Sequence, residues 1–339
     1  MPDAQPIPAP PLASGAKHLR QTLPLRVGTR GSPLARTQTR LFLELLTWFC
    51  PVLALGIQGK PVFQEHIIRT TGDRVQDRSL ADIGGKGLFS KEIHEALLDH
   101  RIDFAVHSLK DLETELPPGI MLACTLRRED ARDVLITGPR CIEPLPGDPL
   151  SALPSRAVIG TNSLRRQAQL LHARPDLSMT LLRGNVQPRI EKVMRGDCDA
   201  SPLALAGLRR LGVEVPGMIV LDPDAMVPSA GQGIVGITTR ADDTDLHRLL
   251  SGIEDSEARA VSTAERALLM LLDGSCRTPI GGHARLLPDG RLYLTGLVAR
   301  ADGSFLLKRS LHGPASDAAR IGAELGASLR ADSPRDIFG

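Results

Sequence analysis

The stretch LLDGSCRTPIGGHA, residues 271–284, carries one cysteine, Cys276, directly after a helix-like run. A loop thiol can act as a nucleophile, ligate a metal ion or serve as a point of covalent attachment. A nucleophile needs a base, and His283 is near in sequence, but nothing in the sequence fixes the geometry of the two side chains. The residues alone leave these roles open, together with an incidental one.

A second candidate for chemistry lies in RIDFAVHSLKDLE, residues 101–113. Polar groups at the carboxyl end of a strand lie where α/β domains carry out chemistry. Asp111, kept ionised by the neighbouring Lys110, could stabilise a developing positive charge or move a proton. An ordinary turn with a salt bridge is the alternative. Apolar residues alternate over 102–106, which predicts a strand, and the chain leaves it through His107, Ser108, Lys110 and Asp111.

The elements that must position these residues form an internal repeat. The stretches LRVGTRGSPLARTQ, from Leu25, and AVIGTNSLRRQAQ, from Ala157, both combine a β-prone run, Gly-Thr, a serine and a helix-like continuation. Ser32 followed by Pro33 is typical of a helix start. Because the likeness continues downstream, each half predicts the order strand, helix, strand, helix, strand. That order implies a parallel-rich sheet with helices on its faces.

Arginines recur at the strand-to-helix junctions of both halves. Helix N-termini present unpaired N–H groups, and arginine binds carboxylates and phosphates through two parallel hydrogen bonds. Two such domains facing each other would form a cleft suited to anions. The alternative is that these are ordinary solvated arginines. The candidate residues are Arg30, Arg165, Arg166, Arg183 and Arg189.

Two glycine-rich segments match nucleotide-binding motifs only in part. DIGGKGLFSKE, residues 82–92, places Lys86 among three glycines, but GxxxxGK[ST] is absent, and a mobile lid is an equally good interpretation. GQGIVG, residues 231–236, matches GxGxxG but runs into a β-like segment instead of a helix. We interpret it as a glycine-rich strand entry where the chain crosses between domains.

The C-terminal part of the chain has a different pattern. A helix in SEARAVSTAERALLMLLDG, residues 256–274, is followed by three strand-like runs with Asp-Gly turns at 289–290 and 302–303. A last helix is predicted from about Ser316 to Leu329. This order indicates a small α+β domain, with Cys276 in the loop between its first helix and its sheet.

Composition limits the partners and the compartment. The 339 residues carry a net charge of +2 and only 3% aromatic residues, which argues against a nucleic-acid partner. Five cysteines without a CxxC pair fit a reducing compartment, and with the nine histidines they show no metal site. The first 24 residues indicate a disordered tail rather than a signal peptide. Leu41–Ile57 predicts a buried helix that ends near Pro51 and is too short to span a bilayer. We expect a cytoplasmic protein.

Seven segments taken together resemble the porphobilinogen deaminase (hydroxymethylbilane synthase) family. GTRGSPLA, GGKGLFSKE, AVHSLKD, GTNSLRRQ, LRGNV, AGQG and GSCRTPIG occur in the order of that family's motifs and cover about Leu25 to the C-terminus. The resemblance implies a monomer with two type II periplasmic-binding-protein-like α/β domains around a cleft. A small C-terminal α+β domain with a three-stranded antiparallel sheet would follow. The implied limits are 1–24 for the tail, 25–126 plus 223–241 for domain 1, 127–222 for domain 2 and 242–339 for domain 3.

The resemblance also implies a reaction and its residues. The family joins four porphobilinogen molecules head to tail, releases ammonia each time and hydrolyses off hydroxymethylbilane for tetrapyrrole synthesis. A dipyrromethane cofactor is attached by a thioether to a cysteine that Cys276 matches, and Asp111 matches the catalytic aspartate that stabilises cationic intermediates. The positions implied to bind the carboxylates of cofactor and substrate are Arg30, Ser32, Lys86, Ser108, Lys110, Thr161, Ser163, Arg165, Arg166, Arg183, Gly184 and Arg189.

Three positions depart from the family pattern. Asp82 lies where some members carry a lysine, Glu113 replaces a proline common after the Lys-Asp pair, and Thr238 stands where an acidic residue is usual. These departures leave loop detail and rate open. Two rival functions remain at this point. One is a carboxylate-binding protein of the periplasmic type without chemistry, and the other is a nicotinamide-dependent oxidoreductase built on GQGIVG.

Overall fold

The computed structural model describes residues 23–54, 62–75, 87–272 and 278–338. Cys276, Lys86 and Asp82 lie outside these residues. The strands and helices, numbered here in chain order, are β1 (Leu25–Thr29), α1 (Pro33–Phe49), α2 (Pro51–Ala54), β2 (Phe63–Ile67), α3 (Thr71–Arg74), α4 (Lys91–Leu98), β3 (Phe104–Ser108), β4 (Ile120–Thr125), β5 (Asp133–Thr137), β6 (Val158–Thr161), α5 (Leu164–Ala173), β7 (Ser178–Leu181), α6 (Val186–Met194), β8 (Ala200–Ala204), α7 (Leu205–Leu211), β9 (Ile219–Val220), β10 (Val235–Arg240), α8 (Thr244–Ser251), α9 (Ser256–Leu271), β11 (Ile280–Leu286), β12 (Arg291–Ala299), β13 (Leu306–Pro314) and α10 (Ala318–Ala331).

The internal repeat folds into two five-stranded mixed sheets with matching strand orders. The first sheet has the order β2-β1-β3-β10-β4 and the second β7-β6-β8-β5-β9. In each, three strands of one repeat run parallel, and one strand from elsewhere in the chain, β10 or β5, pairs antiparallel with the third. The predicted α/β class is confirmed, because strand, helix, strand, helix, strand recurs in both halves. The domain limits stay a prediction.

Helix α1 begins as predicted and is less buried than predicted. Ser32 accepts a hydrogen bond from the Ala35 N–H (3.2 Å), and the helix ends at Phe49, before Pro51. Phe42 and Leu46 are fully buried, but the side chain of Trp48 is 73% exposed. The expectation of a wholly buried helix is therefore wrong. The helix covers one sheet face, and its 3.6-residue period turns the other apolar positions to solvent.

The small third sheet is antiparallel, in the order β11-β12-β13, and packs against α9 and α10. The two predicted Asp-Gly turns join these strands, with positive φ at Gly290 (80°) and Gly303 (76°). The last helix begins two residues later than predicted, because a short 3₁₀ turn at Ala315–Asp317 precedes it. The predicted α+β arrangement is confirmed.

The GQGIVG segment leads into β10 and not into a helix, as its sequence indicates. Gly231 and Gly233 have positive φ (73° and 86°), and a Cβ at Gly233 would overlap the Glu129 carbonyl oxygen. These glycines therefore allow two backbone segments to approach each other closely beside β10. In the described part of the chain, no helix is both long enough and apolar enough to cross a membrane.

Candidate active-site cleft

The candidate catalytic carboxylate, Asp111, lies beside Arg30 at the carboxyl ends of two neighbouring parallel strands. Arg30 follows β1, and Asp111 closes the 3₁₀ turn Leu109–Asp111 after β3. The distance from Arg30 Nη1 to Asp111 Oδ2 is 3.4 Å, and the Asp111 side chain is 31% exposed. The sheet thus brings together two residues 81 positions apart in sequence. A partly open carboxylate beside a cation can stabilise positive charge or accept a proton.

Arg30 is itself fixed by two residues that the sequence analysis did not single out. Its guanidinium donates to Asp73 at 2.5 Å and lies over the Phe89 ring, 4.0 Å from the ring centroid. Asp73 also accepts from the Thr70 hydroxyl at 2.8 Å. Burial opposes ionisation of Asp73, but these partners outweigh it and hold its pKa below the usual range. The Thr-x-x-Asp spacing of residues 70–73 is the capping signal that could have identified Asp73.

A second cluster surrounds Asp133, which has no exposed surface. Its carboxylate accepts hydrogen bonds from Arg165 Nη2 and Arg166 Nη2, both at 2.8 Å, and from Gln232 Nε2 at 2.7 Å. Burial disfavours the charge, but the two arginines overcome it and hold the pKa of Asp133 well below its usual range. Arg165 and Arg166 are 6% and 7% exposed. The alternative of solvated arginines is therefore wrong for both.

Lys110 connects the two clusters. Its Nζ donates to Gln232 Oε1 at 3.3 Å, and Gln232 in turn donates to Asp133. Burial, reinforced by the charges of Arg166 and Arg165, lowers the pKa of Lys110 to about 8, although Asp111 and Asp133 pull it upwards. The ammonium group is thus held where its charge is costly unless an anion joins it.

Arg189 lies in the same region and has one N–H donor without a partner among the described residues. It donates to Ser201 Oγ at 2.9 Å and to the Pro202 carbonyl at 3.1 Å, whereas its buried Nε has no partner within the described ranges. Burial and the nearby charge of Arg166 lower the pKa of Arg189 to about 9. A partly buried cation with an unsatisfied buried N–H is a group that a bound anion stabilises.

Arg183 reaches from the second sheet towards the first. It follows β7 in the chain, and its guanidinium donates to the carbonyl of Gly72, in α3, at 3.3 Å. Gly184, next in the chain, has a φ of 109°, which only glycine adopts readily. The predicted cluster of arginines is therefore assembled from both α/β sheets, with three acidic partners interleaved.

The hydroxyl residues have local roles. Ser32 and Ser163 cap helices α1 and α5 by accepting backbone hydrogen bonds, so their own O–H groups stay available as donors. Thr161 accepts from the Ser163 N–H at 3.1 Å. Ser108 differs, because its hydroxyl donates to Gln38 Oε1 at 3.0 Å and a ligand would have to compete for it.

Positively charged side chains outnumber the carboxylates named in the described site. Among the described residues named above, the carboxylates of Asp73, Asp111 and Asp133 pair with three of the cations, and this positive character suits an anionic ligand. Among the described residues, no group of three or more His, Cys, Asp or Glu could hold a metal ion. The six cations are Arg30, Lys110, Arg165, Arg166, Arg183 and Arg189.

The segment that carries Cys276 follows a residue of the same large apolar cluster that contains the neighbours of Asp111. Leu272, the last described residue after α9, has no exposed surface and belongs to one apolar cluster with Leu109 and Leu112. Those two leucines flank Lys110 and Asp111. Cys276 follows Leu272 by four residues, a reach of at most about 14 Å for an extended chain.

Comparisons with known proteins agree on one family. Residues 25–248 match the family model "Porphobilinogen deaminase, dipyromethane cofactor binding domain", and residues 260–331 match "Porphobilinogen deaminase, C-terminal domain". The chain is 45% identical to the porphobilinogen deaminase of Paracoccus denitrificans over 93% of this chain and 96% of that protein. It is 44% identical to the chloroplastic porphobilinogen deaminase of Oryza sativa over 86% of this chain and 78% of that protein.

A solved structure is similar only in outline. The periplasmic VFT2 domain of Bordetella pertussis BvgS covers 71% of this chain and 91% of its own, at 11% identity and a TM-score of 0.39. So low a score carries no argument about function.

Replacing Asp133 with asparagine should destabilise the protein strongly. Two buried arginines would lose their counter-charge, and breaking a buried pair costs about 3–5 kcal/mol of unfolding free energy. The contribution of Asp133 is present at neutral pH and is lost only as the pH falls through its depressed pKa. The melting temperature at pH 7 should therefore drop by several degrees in Asp133→Asn.

The matched control is Asp197→Asn, because the carboxylate of Asp197 is 48% exposed in its pair with Arg195. We expect little change there, since exposed pairs contribute little. Equal melting temperatures for Asp133→Asn and the wild type would contradict the role assigned to the buried cluster.

Proposed function

The chain belongs to the porphobilinogen deaminase family, and from that premise we propose which of its residues perform the reaction. The reaction joins four porphobilinogen molecules head to tail, with release of ammonia and then of hydroxymethylbilane, in tetrapyrrole synthesis. Dipyrromethane is the cofactor. The observation that carries the assignment of residues is the excess of cations around Asp111, because acetate and propionate groups on every pyrrole bring many carboxylates into one site.

The donor set fits such a cofactor. Within the described part of the chain Arg189 Nε is buried without a partner, and Lys110 lies where burial disfavours its charge, so carboxylates would satisfy both. When bound, dipyrromethane supplies the pyrrole terminus onto which porphobilinogen units are joined. We propose that its attachment point is Cys276, and that Arg30, Lys110 and Arg189 bind carboxylates of cofactor and substrate.

The remaining binding residues divide by what they already contact. Among the described residues, the hydroxyls of Ser32 and Ser163 accept hydrogen bonds and can still donate to a carboxylate, and Thr161, the last residue of β6, lies beside Ser163. Arg165 and Arg166 hold Asp133 and would act mainly by setting the positive field, as would Arg183 from its place beside Gly72. Ser108, Gly184 and Lys86 stay proposals from the motif match, the last of them outside the described residues.

Asp111 has the proposed catalytic role. Loss of ammonia from porphobilinogen leaves a cation, and its coupling product must lose a proton from a pyrrole carbon. An ionised carboxylate close to the pyrrole N–H groups stabilises the first species and can move the proton of the second. Arg30, itself held by Asp73, keeps the Asp111 carboxylate in place at 3.4 Å without burying it.

We further propose a transferase of the hydroxymethylbilane synthase type that works as a cytoplasmic monomer without a nucleic-acid partner. Cys50, Cys124, Cys141 and Cys198 are free thiols, as in proteins of a reducing compartment. The net charge of +2 gives no general attraction to nucleic acid. The mass of the native protein in solution would test whether it is a monomer.

The attachment at Cys276 is tested by intact mass spectrometry of the purified protein. The wild type should exceed its polypeptide mass by a dipyrromethane adduct, and Cys276→Ser should not, because a hydroxyl lacks the nucleophilicity of a thiol. Cys141→Ser is the control, since Cys141 is another partly accessible thiol, and it should retain the adduct.

A wild type at its bare polypeptide mass is first incubated with porphobilinogen, from which an apoenzyme builds the adduct. If none forms, or if Cys276→Ser still carries it, Cys276 is not the anchor. A protein that binds carboxylates but never acquires an adduct would support the rival binding-protein function.

Asp111→Asn should fold normally and lose most turnover. The change keeps the size of the side chain and removes its charge, and loss of one such electrostatic contact costs about 10²–10³-fold in kcat. Porphobilinogen consumption by adduct-bearing enzyme measures this. Asp99→Asn, at an exposed aspartate, should leave kcat unchanged. Near-normal turnover of Asp111→Asn would refute the catalytic role.

Deprotonation of Lys110 should lower kcat/KM at alkaline pH, which gives the pH profile an alkaline limb. Its ammonium loses the proton as the pH rises through about 8, so kcat/KM for porphobilinogen should fall above that pH. Bound carboxylates favour the charged form, which moves the limb in kcat to higher pH. Lys110→Arg should remove the limb, because guanidinium stays protonated. Identical pH profiles for this variant and the wild type would exclude Lys110 as the titrating group.

A further inference from the structure

The turn at the start of α4, residues 89–92, contacts the surroundings of Asp111 at two separate points. The first contact runs through Glu92, whose Oε1 accepts from the Thr71 N–H at 2.8 Å and from the Thr71 hydroxyl at 2.6 Å. Thr71 begins α3, which also carries Asp73, the main partner of Arg30. Phe89, just before α4, packs its ring against the Arg30 guanidinium, 4.0 Å from Cζ to the ring centroid. This turn therefore fixes the cation that faces Asp111.

The second contact runs through Glu113. Its Oε2 accepts a hydrogen bond of 2.6 Å from the hydroxyl of Ser90, the residue that precedes α4. Ser90 has no exposed surface, so this bond is shielded from water. The other oxygen of Glu113 lies against Gly87, where a Cβ would overlap it. Glu113 follows Asp111 by two residues, and the chain between them has little freedom to move independently.

The backbone of segment 112–114 is held by a residue of α9, the helix that packs against the third sheet. Arg266, in α9, donates to the carbonyls of Glu113 at 2.7 Å, Thr114 at 3.0 Å and Leu112 at 3.4 Å. Arg266 thus fixes the peptide groups, and the Glu113 side chain fixes the segment against α4. Each contact joins residues far apart in sequence, so neither is a consequence of local turn geometry.

We propose that Glu113 is a positioning residue for Asp111, acting through its hydrogen bond with Ser90. Glu113 stands where the family motif commonly has a proline, whose side chain has no acceptor for the Ser90 hydroxyl. The carboxylate holds segment 112–114 against the α4 turn that also orients Arg30, and so sets the separation of Asp111 and Arg30. The inference rests on the proposed catalytic role of Asp111.

The experiment compares adduct-bearing Glu113→Ala, Glu113→Gln, Ser90→Ala and the Glu113→Ala/Ser90→Ala double variant. Glu113→Ala should lower kcat about tenfold, because small displacements of a catalytic group are costly, with KM for porphobilinogen within about twofold of wild type. Glu113→Gln should recover most of kcat, since its amide oxygen still accepts from Ser90. Ser90→Ala should match Glu113→Ala, and the double variant should lose no more than either.

Glu143→Ala is the control, because Glu143 is an exposed glutamate away from these contacts, and it should behave as wild type. An unchanged kcat in Glu113→Ala overturns the proposal. So does a kcat loss that Glu113→Gln fails to recover, or one that adds to the loss in Ser90→Ala.

A parallel pair of variants separates this proposal from the role of Asp111. Glu113→Ala should have no further effect on kcat in the Asp111→Asn background, where there is no carboxylate left to position. If Asp111→Asn keeps normal turnover, the catalytic assignment itself fails. If Asp111→Asn is inactive while Glu113→Ala has wild-type kcat, only the positioning role fails.

Discussion

The buried carboxylate of Asp133 is the interaction on which the site depends. Two arginines, Arg165 and Arg166, could not be held almost fully buried without a counter-charge, because desolvating a cation costs several kcal/mol. Asp133 provides that charge from the first position of β5, the strand that enters the second sheet from outside the repeat. Gln232 extends the cluster to Lys110, so one carboxylate organises cations from two stretches of chain.

Asp111 is used differently, as a carboxylate that stays partly open. The distance from its carboxylate to Arg30, 3.4 Å, is longer than the hydrogen bonds that Asp133 accepts, and about a third of its side chain is exposed. Arg30 is instead held tightly by Asp73 and Phe89. The protein thus fixes the neighbours of Asp111 and leaves the carboxylate itself accessible, which suits a group that must meet a developing cation.

Both clusters lie at strand ends because of the mixed sheets. The carboxyl ends of β1 and β3 are adjacent, so Arg30 and the turn that carries Asp111 meet although 81 residues separate them. The third part of the chain contributes through α9, where Arg266 binds the segment after Asp111 and buried Glu265 binds Arg128 at 2.6 Å. Helix α9, which precedes Cys276 in the chain, is thereby tied to the segment that follows Asp111.

The sequence by itself determined the repeat, the serine caps of α1 and α5, the strand entry at Gly231 and the family motifs. Each of these follows from periodicity, capping or spacing along the chain, because these patterns act on the local backbone conformation. Asp73, Asp133, Gln232 and Glu113 acquired partners only in the folded chain, and the outward turn of Trp48 was also decided there. An ion pair depends on distance in space, and the order of strands in a sheet, not the order of residues, sets which charges become neighbours.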